Sequence, residues 1–112
     1  MQLQWSPRAE RELMQLRDYI AQDSQFYARQ FTERLILAVE RLAPTPRIGR
    51  MVPEAGHADV IRELIFHGYR VIYRIEESQQ LVQIVTIVHG ARDLPGITPP
   101  PWEPSGPTKS QP

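Results

Sequence analysis

The first part of the chain carries hydrophobic residues at helical spacing, after a short candidate strand at residues 2–5 (QLQW). Ser6 and Pro7 are typical of a helix N-cap and first helical position, because proline there loses no hydrogen bond that the helix needs. The apolar positions that follow lie three or four residues apart: Ala9, Leu13, Leu16 and Ile20. This spacing predicts an amphipathic helix of about four turns that ends near Gln22.

A second helix is predicted directly after the first, with Asp23 or Ser24 as its N-cap. Its apolar stripe contains Tyr27, Phe31, Leu35, Ala38 and Leu42, widened by Ile36 and Val39. Pro44 ends the pattern, because the residue before a proline disfavours helical backbone angles. The short connection between the two segments predicts a helical hairpin.

From Asp59 onward the hydrophobic period changes to two, which is typical of β-strands. Three runs, DVIRELIF, YRVIYRIE and QLVQIVTIVH, are separated by short turns and predict an antiparallel meander. The proline- and glycine-rich segment 44–58 before them is predicted to be a long loop. We therefore expect an α+β fold in which the helical hairpin packs on one face of a small twisted antiparallel sheet, with residues 2–5 at an edge or beside the meander.

The C-terminal segment differs in composition from the rest of the chain. Residues 95–112 hold seven of the eleven prolines and few apolar side chains, and Trp102 is their one candidate anchor. We predict one folded domain over residues 1–94 and a proline-rich disordered tail over residues 95–112.

Composition argues against several kinds of chemistry. Thirteen basic and thirteen acidic residues cancel, so the chain lacks the excess positive charge that typically draws a protein to nucleic acid. It has no cysteine, and its three histidines, His57, His67 and His89, lack the spacing of metal ligands, so we expect no metal and no other cofactor. No apolar run approaches the length of a membrane span, and the first residues do not resemble a secretion signal. We expect a cytoplasmic protein with no membrane partner.

Arginines on the predicted strands are the strongest candidates for a binding site. On the strand at residues 67–75, Arg70 and Arg74 alternate with an apolar face that includes Tyr73. If the helices pack on that apolar face, both arginines look outward onto an open groove.

A basic patch would form if strand pairing brought two further arginines to the same side of the sheet. These are Arg62, on the preceding strand, and Arg92, just past the last strand. The alternative is that the strand arginines pair with Glu63 or Asp93 as ordinary salt bridges.

Four stretches of the chain resemble the ParE/RelE superfamily of bacterial type II toxins. They are WSPRAERELMQLRDYIAQDSQFYARQFTERL across the helical hairpin, RIGR in the loop, IRELIFHGYRVIYRIE across two strands, and VTIVHGARDL at the end. Together they span residues 1 to about 94. The resemblance implies a toxin that a cognate antitoxin protein neutralises, with either DNA gyrase or ribosome-bound mRNA as its target.

The nuclease branch of this superfamily, the RelE type, implies a particular set of catalytic residues. Arg70 matches its strand arginine, and His89 and Arg92 stand where further catalytic groups would lie. No tyrosine follows Val88, however, and Ala91 occupies a position where a basic residue is expected. Cleavage of RNA needs a proton acceptor, a proton donor and cations, and arginine supplies only the cation. Arg70, His89 and Arg92 are thus weak candidates for catalysis by a metal-independent endoribonuclease.

The incomplete catalytic set and the segment YIAQDSQFYARQF favour the ParE branch. We predict a toxin that inhibits DNA gyrase by direct binding and is not an enzyme, with a ribosome-dependent mRNA endonuclease or an inactive antitoxin-binding module as alternatives. The residues expected to contact the target or the antitoxin are Arg62, Arg70, Arg74 and Arg92. The apolar side chains that a partly acidic antitoxin segment is expected to cover are Trp5, Ile65 and Phe66.

Overall fold

Two helices and a five-stranded sheet make up the fold of residues 1–90 and 101–102, which are the residues that the computed structural model describes. In chain order the elements are β1 (Gln2–Trp5), α1 (Pro7–Ala21), α2 (Gln25–Glu40), β2 (Arg50–Met51), β3 (Ile61–Phe66), β4 (Tyr69–Glu76) and β5 (Leu81–His89). The strand order is β1-β5-β4-β3-β2. The α+β fold is confirmed, and β1 does lie at an edge. The sheet is mixed rather than antiparallel throughout, because β1 runs parallel to β5.

Serine caps begin both helices: Ser6 is the predicted cap of α1, and Ser24 is one of the two candidates for α2. The Ser6 side chain accepts a hydrogen bond from the Ala9 N–H at 3.0 Å, and it also donates to the Val85 carbonyl at 3.1 Å. Ser24 accepts from the Tyr27 N–H at 3.0 Å. Because Ser6 bonds both to its own helix and to β5, it fixes where α1 crosses the sheet.

The helices cover one face of the sheet and form the larger of two hydrophobic clusters. We call it the helix-side cluster, and its buried members are Ala9, Leu35, Val39, Leu42, Val71, Tyr73, Ile75, Val82, Ile84 and Ile87. The prediction that Tyr73 faces the helices is confirmed. Tyr27 departs from the predicted stripe and is 51% exposed. Among the described residues no helix is long and apolar enough to span a bilayer.

The opposite face of the sheet is also covered, which contradicts the prediction of an open groove. The buried residues on this face form a second cluster, which we call the loop-side cluster: Val52, Ile61, Ile72, Val85 and Val88. Ala55, Ala58, Val60 and Trp102 pack against them. Removing the apolar residues of this face from water stabilises the fold, and the segment between β2 and β3 covers them. Trp102 is therefore an anchor; residues 95–100 and 103–112 of the predicted tail lie outside the described residues.

A β-bulge changes which residues of β5 face the helices. Ile72 pairs with Thr86 and Tyr73 pairs with Ile84, so Val85 is an extra residue on β5. Before the bulge the helix-facing residues have even numbers, as Ile84 does, and after it Ile87 takes this role. The extra residue turns Ile87 towards the helices and Val88 into the loop-side cluster, an arrangement that strict alternation along β5 does not predict.

The long segment between α2 and β3 is more ordered than the predicted loop. It contains β2 and two single turns of 3₁₀-helix, at Pro46–Ile48 and Pro53–Ala55. The Tyr73 hydroxyl fastens it to the sheet by donating to the Pro46 carbonyl at 2.7 Å and accepting from the Gly49 N–H at 3.0 Å. A side chain at Gly49 would place its Cβ 2.5 Å from that hydroxyl, so only glycine allows this approach. Burial raises the pKa of Tyr73.

Candidate functional site

Arg70 is buried and fully paired, with 7% of its surface exposed. Its Nε donates to Glu63 at 2.5 Å, and its two terminal nitrogens donate to the two carboxylate oxygens of Glu54 at 2.9 and 2.8 Å. The prediction that Arg70 faces an open groove is wrong, and the alternative of a pair with Glu63 is confirmed. The physical reason is that the segment carrying Glu54 covers this face, and a covered arginine must be compensated by charge.

Four charged residues form one group on this face, which we call the Arg–Glu cluster: Arg50, Glu54, Glu63 and Arg70. Glu63 is 1% exposed and accepts from Arg50 at 2.5 Å as well as from Arg70. Two positive and two negative charges cancel. The hydrogen bonds from Arg70 lower the pKa of Glu54 to about 2, and the pairing with Glu54 raises the pKa of Arg70. The cluster is thus ionised but neutral as a whole.

Sequence reasoning did not find Glu54. It lies in a segment with no periodic pattern, sixteen positions before its partner Arg70. The signal that could have found it is an acidic residue in a long ordered loop next to a strand that carries an arginine on its covered face. That signal has meaning only once the face is known to be covered.

Arg62 belongs to a separate, exposed network. It donates to Asp59 at 2.6 Å and to the Gly49 carbonyl at 2.9 Å. Arg47 joins the network through Asp59 at 2.8 Å and Glu77 at 2.7 Å. Hydrogen bonds from Arg47 and Arg62 lower the pKa of Asp59. Arg62 therefore holds the loop in place and does not extend the Arg–Glu cluster.

Arg74 lies beside the C-terminal anchor. Its Nε donates to Glu76, and one terminal nitrogen donates to the Trp102 carbonyl at 3.1 Å. Arg92 and Asp93 lie outside the described residues. The three predicted arginines that the structure describes, Arg62, Arg70 and Arg74, are thus distributed over three separate sets of partners rather than gathered in one patch.

His89 lies on the opposite face of the sheet from the Arg70 side chain. It pairs across the strands with Tyr69, and the two rings meet edge to face with centroids 5.4 Å apart. Tyr69 packs against the helix-side cluster, whereas its neighbour Arg70 points into the covered loop side. Successive residues of a strand point to opposite faces, so the sheet itself separates His89 from the Arg70 guanidinium.

A cleft of about 280 Å³ lies next to His89, between α1 and the end of β5. Its lining includes Tyr19, Tyr69 and Glu12. Glu12 is already engaged, since one of its oxygens accepts from the Thr86 hydroxyl at 2.6 Å and from the Ile87 N–H at 2.9 Å. Within residues 1–90 and 101–102, no group of three or more His, Cys, Asp or Glu side chains is placed to hold a metal ion.

Several large apolar side chains remain exposed. On the helices the exposed ones are Met14, Tyr19, Phe26, Tyr27 and Leu37, and elsewhere they are Ile48, Met51 and Ile65. Of the three predicted contact residues, Ile65 is 51% exposed, while Trp5 and Phe66 are partly buried against the helix-side cluster. Ile65 lies directly across from Arg70 in the β3–β4 pairing.

The element order and the five-stranded sheet define the fold of RelE/ParE-like toxins, as comparison with solved structures shows. The chromosomal ParDE system of P. aeruginosa contains a chain of 20% identity that superposes with a TM-score of 0.65, over 80% of this chain and 95% of that one. The toxin–antitoxin complex RelBE2 of Mycobacterium tuberculosis contains one of 20% identity and TM-score 0.57, over 79% and 95%. At this identity the likeness establishes the fold alone.

Sequence comparison identifies the family. Residues 3–94 match the model of the ParE toxin of the type II toxin–antitoxin system parDE. Toxin RelE2 of Caulobacter vibrioides is 37% identical over 91 residues, which cover 81% of this chain and 97% of that protein. The chain therefore belongs to the ParE toxin family of type II toxin–antitoxin systems, within the ParE/RelE superfamily.

Proposed function

We propose that this chain is a toxin that inhibits DNA gyrase by direct binding and that a cognate antitoxin protein neutralises it. The observation that carries the proposal is the separation of its candidate catalytic groups. Arg70 and His89 lie on opposite faces of the sheet, and Arg70 is already paired with two carboxylates.

Cleavage of RNA by attack of its own 2′-hydroxyl would require the catalytic groups to surround a single phosphate. A base must remove a proton, an acid must protonate the leaving oxygen, and cations must lie next to the phosphate oxygens. The Arg–Glu cluster is neutral, so it offers no net attraction for a phosphodiester. The described lining of the cleft at His89 contains Glu12 and no arginine or lysine. Neither place supports the complete reaction, and a protein–protein mode of action needs no such set.

The ribosome-dependent mRNA endonuclease is the second candidate. The relative of 37% identity bears the name RelE2, and His89 and Tyr69 are in contact at the edge of a cleft. A histidine beside a tyrosine can exchange protons. If Arg92 supplied the cation there, catalysis would be centred on His89 and would not involve Arg70.

The proposal of an antitoxin partner is supported by membership in a toxin–antitoxin family and by the exposed apolar side chains. Phe26 and Leu37 lie on one side of α2, 72% and 62% exposed, and Ile65 is exposed on the sheet. Exposed apolar groups of this size are typical of surfaces that a partner covers. A partly acidic antitoxin segment with apolar anchors fits them.

One comparison of activities tests the proposal. Toxin freshly released from its antitoxin is assayed for inhibition of gyrase supercoiling and accumulation of cleaved gyrase–DNA complexes, and in parallel for cutting of mRNA on translating ribosomes. We expect the gyrase effect and no cutting. His89→Gln should leave the gyrase effect intact. If the toxin cuts mRNA and His89→Gln abolishes the cutting, the endonuclease function replaces this proposal. If the toxin is inactive in both assays and still binds its antitoxin, it is an inactive antitoxin-binding module.

A further inference from the structure

We propose that Arg70 and Arg50 form a carboxylate-binding site for a partner protein, and that Glu54 occupies this site as an internal competitor in the free toxin. The inference rests on the proposed function, because it names the chemistry by which an acidic–apolar segment of a protein partner would be recognised. It begins from the way in which Glu54 is held.

Glu54 is bound as a ligand would be bound. Arg70 donates to both of its oxygens, at 2.8 and 2.9 Å, which is the bidentate geometry that an arginine fork offers to any carboxylate. Glu63, the other partner of Arg70, has a fully buried side chain. The Glu54 side chain is 25% exposed and belongs to a single turn of 3₁₀-helix between β2 and β3. Rotation about its own side-chain bonds is sufficient to move Glu54 away from the fork.

Space and charge beside Arg70 suit one incoming carboxylate. A cleft of about 240 Å³ opens there, lined by Arg50, Pro53, Glu54, Ile65 and Arg70 and by the backbone of Gly68. The Arg50 side chain is 64% exposed. With Glu54 turned away, two arginines face one glutamate, and the site carries a single positive charge. That charge accommodates one monoanion.

The apolar rim favours a peptide over a nucleic acid. Ile65, 51% exposed, and Pro53 both line the cleft, so a glutamate or aspartate side chain flanked by an apolar residue would contact both the fork and the rim. An RNA strand would bring further phosphates towards Glu63 and Glu54, which repel them. A segment of alternating acidic and apolar residues is therefore the expected ligand.

The test measures binding of short labelled ligands to the full chain by fluorescence anisotropy. The ligands are a hexapeptide of alternating glutamate and valine, the same peptide with glutamine, and a hexaribonucleotide. Glu54→Ala vacates the fork and should bind the acidic peptide about ten-fold more tightly than the unmodified toxin. Glu77→Ala is the matched control, because it removes one exposed carboxylate paired with Arg47, and it should change the affinity less than about two-fold.

A second substitution locates the site. Arg50 is exposed and its loss should not prevent folding, so Glu54→Ala combined with Arg50→Gln should lose most of the gain. The inference is overturned if Glu77→Ala gives an equal gain, if the glutamine peptide binds as well as the acidic one, or if only the oligonucleotide gains. Gyrase is absent from this assay, so a negative gyrase result together with a peptide gain would refute the proposed target and leave the site standing.

Discussion

The two faces of the sheet are covered in different ways. On the helix side the cover comes from α1 and α2, whose apolar residues are spaced along continuous helices. On the loop side it comes from a segment of short turns together with Trp102, and buried charges lie beneath it. The first cover depends on packing and on the hydrogen bonds that join Ser6 and Glu12 to β5. The second depends on packing, ion pairs and one tyrosine hydroxyl. The second is therefore the face where a partner's side chain could replace a contact of the protein's own.

The largest expected loss of stability lies on the helix side. Leu35 is fully buried, and Leu35→Ala removes apolar contacts and leaves a cavity. We expect the free energy of unfolding to fall by about 4 kcal/mol in urea titrations. Leu37→Ala, in the same helix at 62% exposure, is the matched control and should stay within about 0.5 kcal/mol. Equal losses for both variants would show that α2 packs through a different face.

On the loop side, the largest effect is expected at Glu63. Glu63→Gln removes the buried carboxylate that Arg70 and the exposed Arg50 share, so the cluster keeps two arginines and only one carboxylate, that of Glu54. We expect a loss of about 3 kcal/mol, because an uncompensated buried charge costs more than the pair contributes. The control is Glu76→Gln, which breaks the partly exposed pair with Arg74 and should cost less than about 1 kcal/mol. A loss of less than about 1 kcal/mol for Glu63→Gln would mean that water reaches the Arg–Glu cluster.

Tyr73→Phe separates the two contributions of one side chain, because the ring stays in the helix-side cluster while the hydroxyl bonds to the loop are lost. We expect a loss of about 1.5 kcal/mol, since the Gly49 N–H is left without its acceptor. Hydrogen exchange at the Gly49 amide should accelerate, while amides of α2 should keep their protection. Unchanged exchange at Gly49 would argue against the tyrosine as the fastening of the loop.

Trp102→Ala tests whether the C-terminal anchor stabilises the loop side. Trp102 packs against the loop-side cluster and its carbonyl accepts from Arg74. We expect a loss of about 1 kcal/mol from the reduced apolar burial. A chain ending at residue 98 should lose a similar amount, because it lacks the same side chain. A truncated chain as stable as the full one would show that the anchor contributes nothing in solution.

The smallest expected effect concerns acid. Arg70 lowers the pKa of Glu54 to about 2 from an ordinary value near 4.5. A depressed carboxylate pKa gives stability that is present above the unfolded-state value and is lost as the pH falls towards 2. Because Glu54 is partly solvated, we expect a contribution of less than about 1 kcal/mol. The free energy of unfolding, measured by urea titration at pH 6 and pH 2.5, should fall more for the unmodified protein than for Glu54→Gln. Equal decreases would contradict the pairing of Glu54 with Arg70.

The sequence determined the features that depend on neighbours along the chain. The first helix begins at the predicted Ser6 and the second at Ser24, one of its two candidate caps, because an N-cap needs only a side-chain oxygen and the backbone amides of the next turn. The meander follows from the period of two. The match of residues 3–94 to a toxin family agrees with the stretches that resembled it.

The tertiary structure decided the features that depend on residues distant in sequence. The parallel pairing of β1 with β5, the bulge at Val85 and the contact of Arg70 with Glu54 each join segments whose local patterns do not indicate one another. An alternating strand reveals that it has two faces, but not what covers the second one. Whether Arg70 meets solvent or a carboxylate is settled by where the 44–58 segment packs, because burial makes charge pairing obligatory.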